Sequence, residues 1–191
     1  MTADPAGIRG IPRETLISVD VETAGPNPAE YSMLSIGACL VDEPDTGFYI
    51  ELKPLTDNAR EESLAVSGLT MEQLSVEGVA PDAAMAEFDA WVHAVTPDGA
   101  IPILVAFNAV FDWMFLDHYF RRFLARNPFG HSALDIKAYA MGAAGGSWGE
   151  TSMRVLSPLY LDGRHLSHNA LGDARDQAEL FRRIRSARHS G

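Results

Sequence analysis

Three segments of this sequence carry polar side chains of the types and spacing that chemistry needs. They are Asp20 and Glu22 in ISVDVET, Asp112 in AFNAVFD, and His168 with Asp173 in HNALGD. Residues two apart on a strand point to one face, so Asp20 and Glu22 emerge together while Val19 and Val21 face the other way. Two like charges held that close repel unless a cation lies between them. The plain alternative is a solvated strand end. Asp112 falls in the first turn of a helical pattern whose stripe, Leu116, Tyr119, Phe120 and Phe123, is apolar. A carboxylate heading such a stripe needs a metal, a hydrogen-bond donor or a capping role. The last of these would be an anion at a helix N-terminus with Asn108 as N-cap. Asp173 sits at the edge of the face defined by Ala170, Ala174, Ala178 and Phe181, where it can both touch a sheet and reach a cleft. His168 lies just before that helix, where a loop can aim its imidazole. Alone, such a histidine is more often a hydrogen-bonded structural residue.

These residues need elements to position them, and the order of elements is legible. Residues 15–23 alternate and are rich in β-branched types, which predicts a strand. Residues 33–42 and 47–54 follow as two more, with turn chemistry in Glu43-Pro44-Asp45-Thr46-Gly47, so a hairpin is expected and the sheet starts antiparallel. Short helical pieces broken at Ser67-Gly68 are expected between residues 58 and 77. An amphipathic helix then opens with Pro81 and runs through residues 81–95. The run IPILVAF reads as a buried strand feeding a long helix over 109–126. The remainder is looser: SALDIKAYAMG, the Gly-rich GAAGGSWGE, a short helix near Met153, and a final helix over about 169–188. Strands first and helices later imply an α/β mixed sheet covered by helices. No Gly-rich phosphate loop follows the first strand, which argues against dinucleotide or NTP binding by those routes.

The 191 residues, 47% hydrophobic and 21% charged, suit one domain over residues 1–191 with a flexible N-terminal segment over 1–13. The single Cys39 cannot form an internal disulfide, and no apolar run nears the ~20 residues that span a bilayer. A cytoplasmic protein without membrane contact is expected. The formal net charge of -11 excludes long-range attraction to a polyanion. Only Lys53 and Lys137 are lysines; the other basic residues are arginines, which suit bidentate phosphate contacts.

Taken together, Asp20-Val-Glu-Thr23, VAFNAVFD ending at Asp112, and HNALGDA with Asp173 resemble the three exonuclease motifs of the DEDDh family, which includes proofreading exonucleases, oligoribonuclease and RNase T. The similarity runs in order over nearly the whole chain. It implies a ribonuclease H-like fold with a five-stranded mixed sheet flanked by helices, and a 3′→5′ exonuclease. Carried over, Asp20, Glu22, Asp112 and Asp173 hold two Mg²⁺ ions, with Mn²⁺ as substitute, and His168 is the general base. Thr23, Asn108 and Phe111, inside the same motifs, are assigned to substrate. The segment AGPNPAEYSM departs from the commoner Thr-Gly-hydrophobic continuation. The chemistry is coherent in itself. Phosphodiester hydrolysis needs an activated water and a stabilised leaving oxygen, which two divalent ions about 3.5 to 4 Å apart supply. Oxygen-only ligands favour Mg²⁺ or Mn²⁺ over Zn²⁺. The product expected is a nucleoside 5′-monophosphate.

The partner expected is the 3′ end of single-stranded RNA or DNA, short ends preferred and RNA favoured; a homodimer is left open. The competing class is a nuclease-like interaction module serving a polymerase or RNA-processing complex, which chelation would leave unaffected. Weaker features are a triad built on Ser157, Ser167 or Ser186, for which no G-x-S-x-G exists. Trp148 reads either as a loop anchor or as a stacking surface for a base. Arg182, Arg183, Arg185 and Arg188 form a basic tail that also suits a helix C-terminus. Asp135 and Asp176 are left as surface or capping residues.

Overall fold

The computed structural model describes residues 12–164 and 167–188. Five strands form one sheet in the order β3-β2-β1-β4-β5: β1 (Arg13–Thr23), β2 (Met33–Leu40), β3 (Gly47–Glu51), β4 (Ala100–Ala106) and β5 (Leu134–Asp135). β1, β2 and β3 are antiparallel neighbours, whereas β4 and β5 run parallel to β1. This is the mixed five-stranded sheet that the resemblance implies. β1 begins at Arg13, so the end of the supposed flexible segment is strand, and its residues 1–11 lie outside the described residues.

Among the described residues, seven α-helices cover the sheet: α1 (Glu61–Ser67), α2 (Met71–Glu77), α3 (Pro81–Val95), α4 (Ala109–Leu124), α5 (Ile136–Ala144), α6 (Met153–Tyr160) and α7 (Ala170–Arg188). The break between α1 and α2 falls at Gly68, whose φ of 69° ends α1 in the left-handed conformation that glycine adopts without penalty. β5 is the fifth strand that the resemblance implies, and neither it nor α5 is placed by the looser segment SALDIKAYAMG.

The alternation of β1 sorts its side chains between two cores. Ile17, Val19 and Val21 join Leu104 and Ala106 under α3 and α4, packed on Phe88, Phe115, Tyr119 and Phe120. The opposite face, with Cys39, Val41 and Val105, packs against α5, α6 and α7 through Ile136, Ala140, Leu156, Ala174, Ala178 and Phe181. Asp20 and Glu22 are thereby directed to the α7 face. The tip of α7 comes onto that face at Gly37, which pairs directly with Asp20 across the sheet. A Cβ at Gly37 would lie 2.0 Å from the Ala170 carbonyl carbon and 2.1 Å from Leu171 N. The absent side chain is what lets the first turn of α7 reach the sheet.

Candidate active site

β1 continues past the end of β4, since their pairing stops at Ser18 opposite Val105. The backbone donors beyond that point need other partners, and acidic and amide side chains supply them. Val21 N–H donates to Asp112 Oδ1 at 3.1 Å. Phe107 N–H, just past β4, donates to Gln177 Oε1 at 2.8 Å, and Gln177 Nε2 donates to Asp20 Oδ1 at 2.7 Å. Ser167 N–H and His168 N–H donate to the two oxygens of Asp173 at 2.6 and 3.1 Å, wrapping the preceding loop around that carboxylate.

Asp20, Glu22 and Asp173 each present a carboxylate oxygen within 4.8 Å of the others, from the end of β1 and the first turn of α7. Asp173 is 3% exposed and Asp112 4%, whereas Asp20 and Glu22 are partly exposed. Asp112 lies outside this triplet, although its charge acts on Asp20 and the Glu22 charge acts on it. Burial, followed by the charges of Asp112, Glu22 and Asp173, holds the Asp20 carboxyl well above its usual range. Burial and the Asp173 charge push Glu22 up to about 7. Burial raises Asp112 to about 8 despite the Val21 N–H bond that favours its charged form. Crowded carboxylates that hold their protons this strongly form a site of uncompensated negative potential.

Every donor in the triplet is a carboxylate oxygen, so the set fits a hard divalent cation; a thiolate or imidazole set would suit zinc. His168 stands beside it in the left-handed region, φ 57°, with an exposed side chain whose ring makes no hydrogen bond among the described residues. A left-handed histidine is uncommon, and such backbone strain clusters at functional sites.

A cavity of about 330 Å³ adjoins the cluster, lined by Val21, Glu22, Thr23, Glu62, Ser63, Val66 and Phe111. Glu22 thus belongs to both. Of the three residues expected to meet substrate, Thr23 and Phe111 line the cavity, with the Thr23 hydroxyl donating to the Gly25 carbonyl at 2.9 Å. Asn108 does not line it, and it is not a side-chain N-cap either. It adopts φ 66°, ψ 48°, and the Ala109 N–H is taken by Asp135 Oδ2 at 2.7 Å. Asp135 also caps α5 through Ala138 N–H at 2.7 Å. Asp176 pairs with Arg164 at 2.7 Å. The arginines of α7 are internal partners too: Arg182 and Arg183 pair with Glu179, and Arg185 with Asp42. Nothing is described of the Arg188 side chain. Ser157 donates to the Arg164 carbonyl and Ser167 to Asp173, so neither has the histidine partner a triad requires.

Gln177 and Gly37 escaped the sequence reading. Gln177 lies one helical turn after Asp173, on the same face, and that spacing was the available signal. Gly37 acts through a contact with residues more than a hundred positions away, which no local pattern shows.

Residues 17–181 match the family described as exonuclease, of the RNase T type. The 3′-5′ DNA exonuclease Cap18 of Escherichia coli is 44% identical over 172 residues, covering 90% of this chain and 92% of that protein. Ribonuclease T of Klebsiella pneumoniae is 29% identical over 179 residues, covering 86% and 81%. Among solved structures, E. coli exonuclease I complexed with single-stranded DNA superposes with a TM-score of 0.70 at 20% identity, covering 92% of this chain and 41% of that one. This chain therefore spans about two fifths of the exonuclease I chain. The nuclease domain of 3′hExo, a DEDDh family member bound to rAMP, superposes with a TM-score of 0.70 at 15% identity, covering 91% and 92%. No described helix is long and apolar enough to cross a membrane.

Proposed function

As the chain belongs to the RNase T-type exonuclease family and is a 3′-5′ exonuclease, we propose that Asp20, Glu22, Asp112 and Asp173 hold two Mg²⁺ ions at the terminal phosphodiester of a single strand, with His168 as general base. The observation that carries this reading is the convergence of the Asp20, Glu22 and Asp173 oxygens within 4.8 Å of one another, in a setting that raises the Asp20 and Glu22 pKa values. When bound, the divalent ions supply an activated water and offset the charge on the leaving oxygen.

The chain's own residues do the rest. Gln177 fixes one oxygen of Asp20, which leaves the other to face the cluster. Asp112 takes up the Val21 N–H and adds its charge from within the core. Glu22 joins the metal site to the cavity, where Val21, Val66 and Phe111 offer apolar walls to the terminal sugar and base. His168, on the exposed loop that wraps Asp173, accepts the proton of the attacking water on an imidazole nitrogen, the general-base role that histidine fills most often.

The substrate proposed is single-stranded DNA ahead of RNA, because the 44% identical relative is named a DNA exonuclease while the ribonuclease T relatives are 27–31% identical. That order reverses the leaning drawn from sequence. The complete acidic set speaks against a pure interaction module. The test is a 5′-labelled single-stranded DNA incubated with protein and Mg²⁺. The expected result is a ladder shortening from the 3′ end with release of nucleoside 5′-monophosphates, abolished by EDTA. Cleavage that survives full chelation, or a strand left intact with Mg²⁺ and Mn²⁺, overturns the reading.

A further inference from the structure

β1, β4 and β5 run parallel, so their carboxyl ends share one edge of the sheet. A continuous line of contacts leads along that edge away from the acidic cluster. Asp20 is bonded to Gln177, and Gln177 to the backbone of Phe107. The ammonium of Lys137, in the first turn of α5, lies 5.7 Å from the centroid of the Phe107 ring and 4.2 Å from that of Trp148. Lys137 has no carboxylate within ion-pair range among the described residues, unlike Arg182, Arg183 and Arg185.

Trp148 is not the buried anchor of its loop: 51% of it is exposed. Its backbone is nonetheless fixed, although the segment around it is glycine-rich. Glu150 Oε2 accepts from Ser147 N–H at 2.6 Å and from Ser147 Oγ at 2.7 Å, closing a capping box. The buried Thr151 hydroxyl donates to the Trp148 carbonyl at 2.7 Å. A rigid, half-exposed indole backed by an unpaired cation has the two features that hold a single strand without reading its sequence, a π-face for a base and a charge for a phosphate.

We propose that Trp148 and Lys137 form a platform for nucleotides upstream of the 3′ end, a base stacking on the indole and a phosphate meeting the ammonium. The platform rests on the exonuclease reading and extends it to substrate length. In a chain with a formal net charge of -11, it gives local retention where long-range attraction is absent.

The test measures binding in an inactive Asp112→Asn background, using 5′-fluorescein single-stranded DNA of about three and about ten nucleotides, the lengths being chosen on the site sizes of such proteins. Trp148→Ala is expected to weaken the longer strand by roughly tenfold and the shorter one far less, with Trp148→Phe restoring most of the loss. Lys137→Ala is expected to flatten the slope of log K against log salt on the longer strand by about 0.7. Equal losses at both lengths, no loss on the longer strand, or failure of Trp148→Phe to restore binding overturns the platform. Because binding is read without turnover, a parent protein that binds with this length dependence yet never cleaves counts against the hydrolytic reading alone.

Discussion

Gln177 and Asp20 are joined by a hydrogen bond whose polarity is set from the far side of the amide. Oε1 of Gln177 accepts from Phe107 N–H at 2.8 Å, so Nε2 must be the group that faces Asp20 Oδ1 at 2.7 Å. One side chain on α7 therefore orients a carboxylate on β1 while satisfying the loose end of β4.

Replacing Gln177 by Glu separates the two duties, because Glu keeps an acceptor for Phe107 N–H and loses the donor toward Asp20. A charge-assisted hydrogen bond contributes about 1.5–3 kcal/mol. The new carboxylate also stands against Asp20, so in EDTA at pH 8 the melting temperature is expected to fall while the circular dichroism spectrum is kept. A metal-free melting temperature equal to the parent's in the Gln177→Glu protein would remove Gln177 from the positioning of Asp20.

Gly37→Val tests how α7 is docked. The added side chain meets the Ala170 and Leu171 backbone near 2 Å, and overpacking of this kind costs about 1–3 kcal/mol. Since Asp173 rides on the same turn, Mg²⁺ affinity is expected to fall along with the melting temperature. A melting temperature and a Mg²⁺ affinity both equal to the parent's would contradict the close approach.

Much of this arrangement could be read from the sequence, and its gaps have physical causes. The hairpin, α3, β4, α4 and α7 announce themselves by periodicity and punctuation, and the acidic residues by their place at element ends. β5 has two residues and so carries no period. α5, with Gly142 near its end, shows little contrast between its faces, and its N-cap Asp135 looks like any surface acid until the Ala109 and Ala138 donors are seen around it. Asn108 has an N-cap's composition, but the left-handed turn into α4 moves that duty to Asp135. Only the latter half of β4 is buried, the start of the run IPILVAF being partly exposed.

The raised carboxylates make stability depend on pH and metal together. Below about pH 4 the folded and unfolded chains both hold these protons. Between there and the folded values, about 7 for Glu22 and about 8 for Asp112, the unfolded chain has released protons that the folded chain retains. Stability contributed by these groups therefore falls as pH rises through that window and is lowest above it. In EDTA the melting temperature is expected to drop by roughly 5 °C or more between pH 5 and pH 8. Mg²⁺ should raise it markedly at pH 8 and little at pH 5. A Mg²⁺ effect equal at both values would show that these carboxylates do not hold the ion.

Salt should act gently, because Arg182, Arg183 and Arg185 are engaged with Glu179, Asp162 and Asp42. Two or three phosphate contacts at about 0.7 each give a slope near -2 in log K against log salt for a single strand, measured with inactive Asp173→Asn protein at fixed excess Mg²⁺. A slope steeper than about -5 would require an extensive cationic surface that the paired arginines do not provide.

Turnover by Asp20→Asn in Mg²⁺, followed on a 5′-labelled single-stranded DNA, bears most directly on the acidic cluster as the catalytic centre. Asn keeps an oxygen for Gln177 Nε2 and removes one of the crowded charges, so the metal-free protein should melt no lower than the parent at pH 8. The expected result is loss of cleavage by roughly 10³-fold or more in this folded protein, the scale at which charge stabilisation of a transition state is removed. Cleavage within about threefold of the parent, well short of that scale, would place the active site elsewhere.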